Sequence, residues 1–229
     1  MSATAKIIDL RNLLAERFPR TSFTMPARLK TGLSFVDEPI GGGFPCGAIT
    51  ELISTRTSAG SASLIHALIQ GAHRENYFLA LIDGRDSFDP CRLNNAWLQH
   101  LLWIRCSKAS EGVKAADLLL RDGNFPLVIV DLMLNAPDEL RKIPQTNWYR
   151  LQRLVELLPT ACLVLTRYEM VSSAQLKLVL ENSWDMQTFE TEDVLSRLRI
   201  VVKRSHLPDV SRLRYLATPI QGSQKSAVS

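Results

Sequence analysis

From the amino end, the apolar positions first fall into a helical stripe: Ile7, Leu10, Leu14 and Phe18 recur at the spacing of one helix face, and Pro19 stops the run. Residues 19–30, rich in Pro, Thr and Ser, read as a linker. The period then changes to short apolar strands alternating with helices. Residues 48–53 make the first strand, 54–60 a small-residue loop, and a helix opens near Ser61 with Leu64, Ile65, Leu68 and Ile69 on its apolar face. Further strands are expected at 77–82, 101–105, 125–132 and 161–166, and helices at 89–100, 111–121, 149–158 and 173–181. The run FPLVIVDL at 125–132 is apolar almost throughout, the pattern of a strand covered on both faces. Residues 134–148 read as a long polar loop, and 167–172 as a short connection. Beyond 181, residues 184–191, 195–203 and 210–217 alternate apolar with polar, which predicts antiparallel strands added to one edge of the sheet. In that hairpin Leu198, Ile200, Val202, Leu213 and Tyr215 are expected to face inward, and Arg197, Arg199, Lys203, Arg212 and Arg214 outward. The fold class is therefore α/β, a mainly parallel sheet flanked by helices with antiparallel edge strands. The expected division is an amphipathic helix and linker at 1–30, a core at 31–220 and a polar tail at 221–229 that stays disordered.

Composition narrows the class. A chain of 229 residues with 46% hydrophobic residues can bury the core of one α/β domain. No apolar run is long enough to cross a bilayer and the start lacks a secretory apolar segment, so a soluble, cytoplasmic protein with no membrane contact is expected. Cys46, Cys91, Cys106 and Cys162 are widely spaced, without the pairing of a zinc site, and read as buried reduced thiols. His66, His73, His100 and His206 fall on different expected elements, and none completes a hydrolytic triad. Trp97, Trp103, Trp148 and Trp184 read as core or rim aromatics rather than stacking platforms. The net charge of +4 is unevenly spread: from Arg197 onward seven basic side chains face Asp209 alone, a net +6 that leaves −2 for the rest. Such asymmetry favours a phosphate-bearing partner, while a solvated strand face or docking on an acidic protein explains the same cations without one.

The strand–loop–helix at 48–66 has the order of a phosphate-binding loop, G-x-x-x-x-G-K-[ST], in which backbone N–H groups cradle phosphates, a lysine reaches the β/γ oxygens and a hydroxyl holds Mg²⁺. With Gly60 as the second glycine, Thr55 stands at the first, Ser61 at the lysine and Ala62 at the metal hydroxyl. The flanks are more specific. Thr31-Gly32, Gly41-Gly42-Gly43-Phe44-Pro45, Gly47 and Thr50-Glu51 stand in the order and spacing that resemble the RecA/Rad51 recombinase core, and LIDGRDSFDP at 81–90 resembles its second strand and acidic turn. The resemblance covers roughly 31–203. It implies a RecA-like P-loop core, a catalytic glutamate position filled here by Arg85, and a Walker-B position at Asp131.

The same resemblance places a first DNA-binding loop at 134–148, with Arg141 and Lys142, and a basic couple reaching a neighbouring nucleotide at Lys203-Arg204. The family's second DNA-binding loop is much longer than 167–172, a departure from its way of gripping single strands. Short length and altered nucleotide motifs together resemble the ImuA-type accessory proteins of translesion synthesis. That implies a non-enzymatic adaptor between RecA and a Y-family-like polymerase subunit, nucleoid-associated and without a required cofactor. ATP or ADP as a structural ligand stays open, as does direct binding to DNA. The N-terminal stripe either folds back on its own domain or docks on a partner. The competing functions are a plain DNA-binding module and an active ATP-dependent recombinase.

Overall fold

The computed structural model describes residues 27–56, 60–181 and 198–207, together with the isolated positions 13, 16 and 17. The strands are β1 (Arg28–Leu29), β2 (Phe44–Pro45), β3 (Ala48–Ile53), β4 (Leu79–Asp83), β5 (Leu101–Arg105), β6 (Leu127–Asp131), β7 (Ala161–Thr166), β8 (Leu176–Leu180) and β9 (Ile200–Ser205). The helices are α1 (Ser34–Asp37), α2 (Ser61–Arg74), α3 (Asn95–Leu98), α4 (Ala109–Asp122), α5 (Pro137–Arg141) and α6 (Gln145–Val155). Seven strands form one sheet in the order β5-β4-β6-β7-β3-β8-β9. All neighbours pair in parallel except β9, which runs antiparallel to β8. β1 and β2 make a separate antiparallel pair, so Arg28 and Leu29, at the end of the expected linker, are held against Pro45 and Phe44.

Alternation within each buried strand splits the core into two layers. Leu127 and Ile129 of β6 join α2's Leu64, Ile65, Leu68 and Ile69 on one face. Val128 and Val130 join Val113 and Leu119 of α4 and Trp148 and Leu151 of α6 on the other. The strand at 161–166 and the helix starting at Ser61 fall where the apolar pattern predicts. None of the described helices is long and apolar enough to cross a membrane.

Several expectations need correction. Residues 173–181, read as a helix, contain β8, because Thr50 to Ile53 of β3 pair with Leu176 to Val179 and this partner outweighs the local helix propensity of Ala, Gln, Leu and Lys. The helix expected at 89–100 breaks into a turn at Pro90–Arg92 and the four-residue α3, because the side chains of Asp89 and Asn94 each cap a separate start. The loop at 134–148 is not structureless. It holds α5 and the first turn of α6, since Leu140 and Ile143 are buried in the second core layer. Val202 lies opposite Leu178 but is 38% exposed at the sheet edge, where nothing described covers it. All four cysteines are free; Cys106 and Cys162 are buried, but Cys91 is exposed because it lies in the surface turn after Asp89. Trp148 is a core residue, as expected. The strands expected at 184–191 and 210–217, the tail, and Ile7, Leu10, Leu14 and Phe18 lie outside the described residues.

Candidate functional site

Parallel strands deliver their carboxyl ends to one edge of the sheet, where nucleotide-binding α/β proteins place their ligands. Here that edge is formed by the ends of β3, β4, β6 and β7. After β3, Ser54 is tied down by its N–H to Thr166 O at 2.9 Å and by its hydroxyl to Arg56 O at 3.0 Å. Thr55 is exposed. Gly60 caps α2 at φ 92°, a left-handed conformation that favours glycine, and no side chain caps that helix start. Ser61 and Ala62 are the first helical residues.

Asp83 and Asp131 are register partners on β4 and β6. The Asp83 carboxylate is buried and committed to its own turn, accepting from the N–H of Arg85 (3.2 Å), Ser87 (2.8 Å) and Phe88 (2.8 Å) and from the Ser87 hydroxyl (3.3 Å). Asp131 is half-buried and accepts from the Met133 N–H at 3.0 Å. Desolvation pushes its carboxyl up to about 6 and the neighbouring Asp83 charge adds to this, against the opposing Met133 N–H. Arg85 is exposed, and its guanidinium donates to Ser107 O at 3.4 Å, just beyond β5. It therefore reaches toward the outer edge of the sheet.

A feature that periodicity does not show lies across β3 and β8. Glu51, fully buried, accepts through Oε1 from the N–H groups of Met170 (2.7 Å) and Val171 (3.0 Å) and from the Thr166 hydroxyl (3.3 Å). Its Oε2 meets Lys177 Nζ at 2.8 Å; Lys177 reaches Glu169 Oε1 at 2.8 Å; Glu169 Oε2 meets Lys203 at 2.7 Å. The hydrogen bonds from Lys177 and Lys203 hold the Glu169 carboxyl down to about 2. This chain of alternating charges fixes the connection between β7 and β8 to the sheet. The sequence signal was a charge inside each of two otherwise apolar runs, AITELI and LKLVL.

No family model matches the chain. Curated relatives do. It is similar to RecA of Chlorobaculum parvum, 29% identical over 106 residues that make up 45% of this chain and 30% of the relative. RecA of Limosilactobacillus reuteri is 30% identical over 108 residues, 46% of this chain and 30% of the relative. RecA of Leifsonia xyli is 30% identical over 104 residues, 44% and 29% respectively. The core is RecA-like. The chain spans about 30% of the length of these relatives.

On this RecA-like core the expected basic residues do not converge into one described patch. Arg141 lies on α5 in an exposed ion pair with Asp138 at 2.8 Å, and Lys142 is exposed at the end of that helix. Arg199, Lys203 and Arg204 lie on or beside β9 and are exposed. Arg204 opposes Lys177, while a register irregularity between Lys177 and Leu178 leaves Lys203 without a cross-strand partner residue and lets it meet Glu169. Arg197, Arg212 and Arg214 lie outside the described residues. The RecA-like core thus groups Gly60, Ser61, Ala62 and Asp131 at one sheet edge, sends Arg85 toward Ser107, and divides the basic residues between α5 and β9.

Proposed function

We propose that this chain is a RecA-related accessory protein that does not turn over ATP. It acts in the bacterial DNA-damage (SOS) response, in the cytoplasm at the nucleoid, and supports translesion synthesis by contacting RecA and a Y-family-like polymerase subunit. The observation that supports this reading is a strand-to-helix edge at which the described charged side chains serve other ends. Gly60 starts α2, but the next side chains are a hydroxymethyl and a methyl, and the neighbouring carboxylate Asp83 is occupied by its own turn. Phosphoryl transfer depends on a positioned cation and on a group that orients the attacking water. Ser61 supplies no cation, and Arg85 supplies no carboxylate and points at Ser107. No cofactor is required in this reading.

The test has two arms. Purified protein with Mg²⁺, ATP and single-stranded DNA is expected to release no more phosphate than a blank; DNA-stimulated turnover abolished by Asp131→Asn would establish an active recombinase instead. A pull-down from cells with damaged DNA is expected to recover RecA and a polymerase subunit, and to keep both when DNA is removed. The exposed Arg199 and Arg204 favour a second reading, a DNA-binding module independent of RecA. That module would bind naked DNA with a steep salt dependence and would survive removal of RecA.

A further inference from the structure

β5 ends the large sheet on one side, and among the described residues no strand pairs with its outer edge. The bonds at its two ends decide which of its groups are left over: the Leu79 N–H donates to His100 O at 2.8 Å, and the Cys106 N–H to Asp83 O at 2.9 Å. Successive residues of a parallel strand turn their N–H and C=O to alternate sides. Leu102 and Ile104 therefore bond β4, while Leu101, Trp103 and Arg105 direct both groups outward. Sheet edges are ordinarily guarded by lysines, proline or a bulge. β9, at the far side, has such guards in exposed Lys203 and Arg204 and in the irregularity beside Lys177. β5 has none. It reads LLWIR, keeps register with β4 throughout, and its one charge is already neutralised. Arg105 makes a bidentate pair with Asp86 at 2.5 and 2.7 Å, and its guanidinium lies 5.1 Å from the centre of the Trp103 ring.

Both faces of this edge are apolar. Leu101 and Trp103 pack against the α2 layer and Leu102 and Ile104 against the α4 layer, all four only partly buried. Phe88 meets the Trp103 ring edge-on with centroids 5.4 Å apart, which holds the indole in place. The occupant that this pattern fits is the same strand of a second copy, antiparallel about a two-fold axis at Trp103. Leu101 then stands opposite Arg105 of the second copy, Trp103 opposite Trp103, and Leu102 opposite Ile104. Every outward residue joins a hydrogen-bonded pair that exchanges two bonds, whereas an axis at Leu102 or Ile104 would pair only two of the three. An axis normal to the sheet also keeps like faces together, with both indoles in the α2 layer and the two Arg105 side chains about 13 Å apart along the strands. We propose that this chain forms a closed dimer through β5, in which the sheets of two copies join into one. The contact is isologous, so assembly stops at two copies, and it leaves β9 clear at the far side of each sheet.

The experiment uses the full chain, followed by sedimentation across the micromolar range. A dimer in reversible exchange with monomer is expected, without larger species. Leu101→Lys puts an ammonium beside Arg105 of the second copy, and the change counts twice across the axis, so dimerisation should weaken about tenfold or more. Val202→Lys places the same charge on the opposite edge and should leave the dimer unchanged. Amide hydrogen exchange resolved by residue reads the wild-type chain directly, so the test stands even if Leu101→Lys misfolds. The Trp103 amide should be protected at high protein concentration and exchange rapidly on dilution, while the Leu102 and Ile104 amides, bonded to β4, stay protected in both. A monomer throughout the range, assemblies that keep growing with concentration, an unweakened dimer in folded Leu101→Lys, loss of the dimer in Val202→Lys, or a Trp103 amide that exchanges rapidly at every concentration would each overturn the proposal.

Discussion

Replacing Lys177 by Met keeps most of the side chain's volume and removes its charge, leaving Glu51 buried beside three hydrogen-bond donors but without a counter-ion. The Lys177 and Glu51 side chains are 2% and 0% exposed, so little water can take the ammonium's place. Removing one member of a buried ion pair costs about 3–5 kcal/mol, a large share of the roughly 5–15 kcal/mol that hold a domain folded. The remaining Met170, Val171 and Thr166 donors partly offset the loss, which puts the expected cost near the lower end, about 3 kcal/mol. Urea unfolding followed by circular dichroism should show the midpoint falling with little change in slope. The double variant Glu51→Gln/Lys177→Met supplies the decisive comparison. A glutamine Oε1 can still accept the Met170 and Val171 N–H groups, while no charge is left unpaired. It should therefore be more stable than Lys177→Met alone by about 1 kcal/mol or more. If Lys177→Met costs less than about 1 kcal/mol, or the double variant is the less stable of the two, the buried pair does not organise this region and the reasoning fails.

Two further outcomes follow from local geometry. Asp131 titrates near 6 when folded against a reference of 3.8, so the folded chain binds more protons between these values and stability falls as pH rises through that window. Asp131→Asn, which keeps an acceptor for the Met133 N–H, should stabilise the protein by about 1–3 kcal/mol above pH 6 and lose that advantage below pH 4, as followed by denaturation at several pH values. Gly43 sits at φ 127°, and a Cβ there would come 2.2 Å from Leu29 O and 2.6 Å from Leu29 C. Gly43→Ala should therefore cost about 1–3 kcal/mol in backbone strain and displaced β1, whereas Gly42→Ala, with open space at its Cβ, should lower the melting temperature less.

The parts of the fold that were legible are those where one short stretch decides its own structure. Residues 125–132 and 161–166 carry so many consecutive apolar side chains that only a strand covered on both faces accommodates them. Gly60, Ser61 and Ala62 could be placed at a helix start because the loop grammar is local. By contrast, Leu176–Leu180 has residues at home in a helix and becomes a strand only because β3 lies beside it, a partner more than a hundred positions away. Arg85 could be assigned a place in the turn but not a direction, which depends on Ser107. Alternation is enough to turn Lys203 outward; its engagement by Glu169 depends on the register irregularity between β8 and β9. Polar Asp138, Arg141 and Lys142 obscured α5, whose buried Leu140 and Ile143 are too few to set a clear period.

The position of β3 also governs the order in which the chain can be assembled during synthesis. β3 leaves the ribosome before every other strand of the large sheet, yet its two neighbours, β7 and β8, come last among the parallel strands. Met170, whose N–H Glu51 accepts, follows it by 119 residues. At about 5–20 residues per second the nascent chain carries this central carboxylate without its permanent donors for about 6–24 s. Until then the β5-β4-β6 side can pair while the middle of the sheet stays open, and a ribosome-bound fragment ending before β7 should expose β3 to chaperones and proteases.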